Sequence, residues 1–148
     1  MSERAAANAT AGASAWLVRA MLLVASGFFL WWGSAVYGDF LVEQRVNFRL
    51  DVAGFWGAVV LLILSGLAFG LATRFPFPRP RYAFGRLVLA VVALAPAIHV
   101  WWAVLRGLPV RGVLGRVFWF DSPEVAFIGA ALAGVAIASG VGARRARG

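Results

Sequence analysis

The chain has 148 residues, of which 62% are hydrophobic and only 14% are charged, and its formal net charge is +8. A soluble domain is typically about half apolar and about a quarter charged, so we expect a single membrane domain and no soluble domain. The chain has no cysteine, which excludes disulfides, thiolate metal sites and cysteine nucleophiles.

The first fifteen residues, 1–15, are small and polar and show no apolar periodicity, which predicts a disordered cytoplasmic tail. A cleaved signal peptide is not favoured, because the run of small residues precedes the apolar stretch instead of following it. We therefore expect the first apolar stretch to be retained as a helix.

Four apolar segments follow, and each is close to the ~20 residues that a helix needs to cross a bilayer. Backbone polar groups in hydrocarbon must be satisfied within the segment, so these segments are expected to be helices. The sequence predicts an all-α membrane protein whose transmembrane domain covers 16–143. The predicted spans are about 16–37, 53–73, 86–105 and 124–142.

The charged residues are distributed unevenly between the two predicted sides of the membrane. One side carries nine arginines and one acidic residue, which gives net +8, and the other carries five arginines and five acidic residues, which gives zero. The positive-inside rule then places both termini in the cytoplasm, including the basic tail 144–148. The basic residues are all arginine, with no lysine, and Ala, Gly and Val are abundant. This composition is typical of a GC-rich bacterial genome, so we expect the protein in the bacterial cytoplasmic membrane.

Arginines near the second predicted loop are expected to contact anionic lipid headgroups, in addition to setting the topology. These residues are Arg74, Arg79, Arg81 and Arg86. Nucleic acid is not expected as a partner, because it needs a dedicated basic surface on a folded module and the sequence predicts none.

Segments 16–74 and 86–144 resemble each other when they are aligned without gaps, with 12 identical residues in 59 positions. The matches include two pairs of adjacent tryptophans, Trp31–Trp32 and Trp101–Trp102. An internal repeat of this length predicts a duplicated helical hairpin. Each unit has an even number of spans, so the two tandem hairpins should form a parallel repeat about an axis along the membrane normal.

Each tryptophan pair is predicted to lie a few residues before its helix leaves the membrane on the outer side. Tryptophan favours that level because its ring is apolar and its N–H needs a polar partner. The alternative is an aromatic binding site at the outer face, with one tryptophan of each pair facing inward. The candidate residues for that outer site are Trp32, Trp102 and His99.

His99 is the single histidine and lies within the third predicted span. An ionisable residue inside a membrane is a candidate functional residue. A structural or interfacial role is the first interpretation, with a neutral ring bonded to a hydroxyl, a backbone carbonyl or water. Haem or quinone contact and proton relay are the alternatives, and bis-histidine haem ligation would need a second histidine from another subunit.

Acidic and small residues receive structural interpretations. Asp51, Asp121 and Ser122 precede the second and fourth spans, where they are expected to cap the helices. Small residues at regular spacing let helices approach closely in lipid, either within one chain or in a homodimer. The residues predicted to pack the second and fourth helices together are Gly66, Gly70, Ala136 and Gly140.

Signatures of enzymes are missing from the sequence. It contains no Ser/His/Asp arrangement, no cluster of metal ligands and no glycine-rich phosphate loop, so we expect no catalytic site, cofactor or metal. The first hypothesis is a non-enzymatic accessory or scaffold subunit in the membrane. The alternatives are a small-molecule or lipid carrier or channel with an outer-facing site, and a haem- or quinone-linked membrane subunit.

Overall fold

The computed structural model describes residues 2–46, 51–75, 84–105 and 123–141. These residues form four helices, which we number in chain order. They are α1 (Ser2–Val46), α2 (Val52–Arg74), α3 (Gly85–Leu105) and α4 (Pro123–Ser139).

Three of the helices contain apolar stretches long enough to cross a membrane: Ser14–Phe40, Val52–Arg74 and Gly85–Trp102. In α4 the apolar stretch Val125–Ser139 is shorter than these three. Helices α2 and α3 agree with the predicted spans to within one residue at each end. The fourth helix begins within a residue of its predicted start and ends three residues before its predicted end.

Helix α1 is longer than predicted at both ends. It begins at Ser2, so the structure differs from the prediction of a disordered tail over 1–15. Seven of residues 2–15 are alanine, which has the highest intrinsic helix propensity, and this favours continuation of the helix. At the other end, Phe40 is buried against Phe55 of α2, and this contact fixes the helix beyond its predicted end.

The helices pack in the order α1, α2, α4, α3, so that α2 and α4 are the inner pair. Helices α1 and α2 are antiparallel, because Arg19 near the start of α1 contacts Phe75 after α2, whereas Phe40 contacts Phe55 near the start of α2. In the middle of this pair the Ser65 hydroxyl donates to the Ser26 carbonyl at 2.9 Å. Hydroxyl–backbone bonds of this kind join helices in apolar surroundings.

Helices α2 and α4 are parallel and approach each other at the level of the backbone. A Cβ atom on Gly66 would meet the carbonyl group of Ala131, and one on Gly70 would lie 2.6 Å from the Cβ of Ala138. From the other helix, a Cβ on Gly134 would meet the backbone of α2 from Ile63 to Leu67. Only glycine fits at these positions without moving a neighbouring helix.

The side of α4 that faces α2 differs from the predicted one. The close approach is centred on Gly134 and Ala138. Ala136 is two positions from each of them, which is about 200° around a helix, so it cannot face the same neighbour. Gly140 lies in a turn after α4, where its N–H donates to the carbonyl of Ile137.

The contact between α3 and α4 also depends on a glycine. A Cβ atom on Gly129 would meet the carbonyl oxygen of Ala93 and would lie 3.7 Å from the ring of Pro96. Pro96 is inside α3, where a proline has no N–H to donate to the preceding turn. The proline ring therefore lies against a helix surface that has no side chain to clash with it.

Leucine at the inner glycines is expected to disrupt the bundle, because it would force the backbones of α2 and α4 apart. We expect Gly66→Leu and Gly70→Leu each to lower the free energy of unfolding by about 1–3 kcal/mol or more, the usual cost of overpacking. Thermal unfolding of the purified protein in detergent measures this. The matched control is Gly27→Leu on α1, where a Cβ atom would have no neighbour within 4 Å. Equal stability of all three variants would contradict this packing.

Candidate functional site

Six aromatic side chains from all four helices meet at the end of the bundle where α1 ends and α2 begins. We call them the aromatic cluster: Tyr37, Phe40, Phe55, Trp56, Trp101 and Phe127. Helices α1 and α2 each contribute two of the rings, and α3 and α4 contribute one each. Of the six residues, only Trp101 belongs to one of the two tryptophan pairs of the sequence.

Several rings of the aromatic cluster contact each other in stacked or edge-on geometries. The ring of Phe55 stacks on Trp101 at a centroid distance of 5.4 Å and meets Phe40 edge-on at 5.5 Å. Pairs of this kind contribute about 0.5–1.5 kcal/mol each beyond the burial of their area. The centroids of the Tyr37 and Phe127 rings are closer, at 4.0 Å, and their planes are tilted by 51°. The cluster therefore ties the four helices together at this end.

The interior of the described bundle is almost entirely apolar. Phe55 and Val59 are each 1% exposed, and Leu62 continues the same buried face of α2. The buried polar side chains in the described ranges are Ser26 and Ser65, whose hydroxyls lie 3.3 Å apart. The hydroxyl of Tyr37 in the aromatic cluster and Nε2 of His99 are also shielded from solvent.

His99 is half-buried on α3, and its Nε2 atom is shielded from solvent. No residue that the structure describes makes a hydrogen bond to Nε2, so the expected hydroxyl or carbonyl partner is not found there. Its neighbours Ala97 and Val100 are buried in the bundle. Within the described ranges there is also no group of three or more His, Cys, Asp or Glu side chains that could hold a metal ion.

Trp32 and Trp102 do not point into the bundle. Their side chains are 47% and 46% exposed, and they lie on α1 and α3, which pack mainly against α2 and α4 respectively. The structure therefore does not gather Trp32, Trp102 and His99 into one outer site. In the second pair Trp101 is the inward member, whereas in the first pair Trp31 is also exposed, at 67%.

The two tryptophan pairs lie at different levels of the bundle. Gly33, next to the first pair, packs against Leu61 and Leu62, which are in the middle of α2. The second pair lies near the helix ends, because Trp101 stacks on Phe55 close to the start of α2. The continuation of α1 to Val46 explains the difference, since it adds nine residues after the predicted end of the span. An interfacial position therefore suits only the second pair.

Of the two predicted helix caps, the structure describes the one that precedes α2. Asp51 precedes α2, its carboxylate accepts a hydrogen bond from the Gly54 N–H at 3.0 Å, and its carbonyl accepts one from Phe55. This satisfies N–H groups that have no partner within the helix. Asp121 and Ser122 lie outside the described residues.

Two arginines at the opposite end of the bundle hold the carboxyl ends of helices. The Nε of Arg19 donates to the carbonyl of Phe75 after α2 at 2.6 Å, and the Nη1 of Arg74 donates to the Ser139 carbonyl at the end of α4 at 2.7 Å. A basic side chain suits this position because carbonyls at the end of a helix lack partners and carry partial negative charge.

Both of these guanidinium groups are exposed, as is Arg86 at the start of α3. Arg79 and Arg81 lie outside the described residues. The sequence predicts contact of Arg74 with lipid headgroups, and in the structure this residue also has a protein partner. The role of Arg19 is not predictable from the sequence, because its acceptor Phe75 lies 56 positions away.

Comparison of the chain with known protein families, with curated proteins and with solved structures finds no match in any of the three. A helical bundle by itself does not indicate a function, since one fold hosts many activities. The function is therefore inferred from the residues of this chain.

Replacing Trp101 with alanine is expected to destabilise the bundle, because the ring is a member of the aromatic cluster. Loss of a fully buried tryptophan costs about 3–5 kcal/mol in water-soluble cores. We expect roughly half of that here, because Trp101 is only half-buried and the unfolded state in lipid is also apolar. The matched control is the adjacent Trp102→Ala, whose ring is 46% exposed and whose loss should cost less than about 1 kcal/mol. Thermal unfolding in the same detergent compares the two, and a larger loss for Trp102→Ala would contradict the assignment.

Proposed function

We propose that this chain is a small, non-enzymatic, multi-pass protein of the bacterial cytoplasmic membrane that acts as an accessory or scaffold subunit. The observation that carries the proposal is the packing of the described helices, whose buried side chains are almost all apolar. Aromatic rings from four helices pack at one end of the bundle, and backbone contacts at glycines fill the space between α2 and α4. A protein of this kind acts through its surface.

A carrier or channel is the second hypothesis, and the same observation argues against it. Transport needs a polar path or cavity, usually lined by ionisable groups that face the bundle interior. Among the described residues the fully buried polar side chains are two serines that bond to each other, and the other polar atoms shielded from solvent are the Tyr37 hydroxyl and Nε2 of His99. The exposed positions of Trp32 and Trp102 leave His99 without the predicted aromatic site.

A haem- or quinone-linked subunit remains the third hypothesis because of one specific observation. The Nε2 atom of His99 is shielded from solvent and has no hydrogen-bond partner among the described residues. An imidazole nitrogen in that state is suited to a ligand, and haem ligation would require another axial ligand from a second subunit.

A lateral surface for a partner is available on α1. Only 6% of the apolar segment of α1 is buried in the bundle, compared with 39% of that of α2, because α1 packs mainly against one helix. In the membrane this face meets lipid, a second copy of the chain or another membrane protein. An accessory subunit needs such a surface, and α1 is the least buried of the three long apolar helices.

The proposed topology has four spans in two tandem hairpins, with both termini in the cytoplasm. Helix α4 has 17 residues and would cover roughly 26 Å, somewhat less than the ~30 Å hydrocarbon core, so it would cross with little tilt. A parallel contact of α2 and α4 is what a two-fold axis between repeat-equivalent helices would give, but α4 faces α2 through Gly134 and Ala138 and not through Ala136, the repeat equivalent of Gly66. The duplication is therefore proposed from the sequence repeat alone. The different levels of the two tryptophan pairs require that the copies have diverged in register.

The topology is tested by a reporter fused after Gly148. The net charge of +8 on one side and zero on the other predicts cytoplasmic activity of the reporter. A control fusion after Val46 should report the opposite side. If the fusion after Gly148 is active only outside the cytoplasm, the proposed orientation is wrong.

The function is tested by affinity purification in mild detergent, followed by identification of the proteins that co-purify. Under the scaffold hypothesis His99→Phe, which copies Phe29 at the repeat-equivalent position, should insert normally and retain the same partner in the same amount. Loss of a visible absorption band or of a bound small molecule in His99→Phe would instead support the ligand-linked hypothesis. The wild-type spectrum and mass analysis provide the comparison.

A further inference from the structure

The first tryptophan pair lies in the middle of the membrane-spanning part of α1, which is an unusual place for tryptophan. The next residue, Gly33, packs against Leu61 and Leu62 in the middle of α2. Tryptophan favours the interface because its indole N–H needs a polar partner, and hydrocarbon provides none. Contact with headgroups therefore does not account for Trp31 and Trp32.

Trp31 projects from the side of α1 that faces away from the bundle. Gly33 faces α2, and Trp31 is two residues before it, which places the two residues about 200° apart around the helix. The Trp31 side chain is 67% exposed, and its ring contacts that of Phe28 at a centroid distance of 6.3 Å. Side chains in a helix lean over the preceding turn, so this ring stands at about the level of residues 27 and 28.

The same face of α1 has a gap one turn before Trp31. Gly27 is four residues before Trp31 and therefore lies on the same face, and a Cβ atom on Gly27 would meet no described atom within 4 Å. Glycine weakens a helix, and a neighbouring helix explains Gly66 and Gly134 but not Gly27. Glycine also leaves the backbone around it accessible, including carbonyl oxygens that can accept a second hydrogen bond.

We propose that the face of α1 centred on Gly27 and Trp31 is a dimer interface, and that its partner is a second copy of the chain. Two copies with the same topology in one membrane are related by a two-fold axis along the membrane normal, so their α1 helices are parallel and meet at equal levels. The Trp31 ring of each copy then covers Gly27 of the other, and the indole N–H donates to a backbone carbonyl beside that glycine.

Self-complementarity is the reason for choosing a second copy as the occupant of this face. A symmetric interface requires that one surface carry both a projection and the gap that receives it, and Trp31 and Gly27 are these two parts at matching levels. In lipid the attraction comes from close packing and from the hydrogen bond of the indole. This inference deepens the proposed scaffold function, and it rests on the proposed insertion of α1 in the membrane.

Dimerisation is measured by energy transfer between copies of the full chain labelled at the amino terminus, in phosphatidylcholine liposomes over a range of protein-to-lipid ratios. We expect Trp31→Ala and Gly27→Leu each to weaken dimerisation about tenfold or more, because the first removes the projection and the second fills the gap. The matched control is Trp32→Ala, which removes an adjacent ring about 100° around the helix and should weaken dimerisation less than about threefold. Equal effects of Trp31→Ala and Trp32→Ala, or a wild-type chain that is monomeric at every ratio, would overturn the interface.

A cross-linking experiment tests the same interface without changing Trp31 or Gly27. The chain has no cysteine, so a single substitution introduces the only thiol. Ser34 is exposed on the proposed face, three residues after Trp31, and Ser34→Cys should form a disulfide-linked homodimer under mild oxidation in the membrane. The control is Val60→Cys on α2, at a similar level and 52% exposed, which should cross-link at least fivefold less.

Two outcomes of the cross-linking would overturn the proposal. One is equal cross-linking of Ser34→Cys and Val60→Cys, and the other is a Ser34→Cys disulfide to a different protein, which would make that protein the occupant. A homodimer that purifies without any other protein would sustain this interface and count against the scaffold function. A monomer that still co-purifies with a partner would do the reverse, so the two failures are distinguishable.

Discussion

The close approach of α2 and α4 is the contact on which the other features of the bundle depend. Gly66 and Gly134 lie at the centre of this contact and let the two backbones touch. Because the helices are then parallel and in register, Arg74 reaches the end of α4, and the buried face of α2 meets the aromatic rings of the other three helices. In lipid, where apolar burial gives helices little reason to associate, such contact supplies much of the attraction.

The features that sequence predicted well depend on a few neighbouring residues. The bounds of α2 and α3 follow from the length of the apolar segments. The cap at Asp51 follows from a carboxylate placed three residues before the N–H from which it accepts a hydrogen bond. Helix α1 was underestimated because apolar length marks where a helix can cross a membrane, whereas the helix itself continues for as long as the propensity and packing of its residues allow.

The features that sequence did not predict depend on how one helix is rotated and shifted against another. The small residues of α4 form more than one stripe, and only the partner helix determines that Gly134 and Ala138 face α2. The same holds for Trp101 and Trp102, which are equivalent in the sequence. Only the contact with Phe55 in the structure shows that Trp101 faces the bundle. Arg19 could not be found from its own surroundings, since its acceptor is 56 residues away.

The order of the helices in space differs from their order along the chain, and this affects how the protein is made. Helices leave the ribosome from the amino end, so α1 and α2 enter the membrane while α4 has not yet been synthesised. Until then the glycine face of α2 must be covered by lipid or by the insertion machinery, because its permanent neighbour is the last helix to be made. Assembly of the centre of this protein is therefore a late event, and a chain interrupted before α4 would keep its α1–α2 hairpin but lack the inner helix pair.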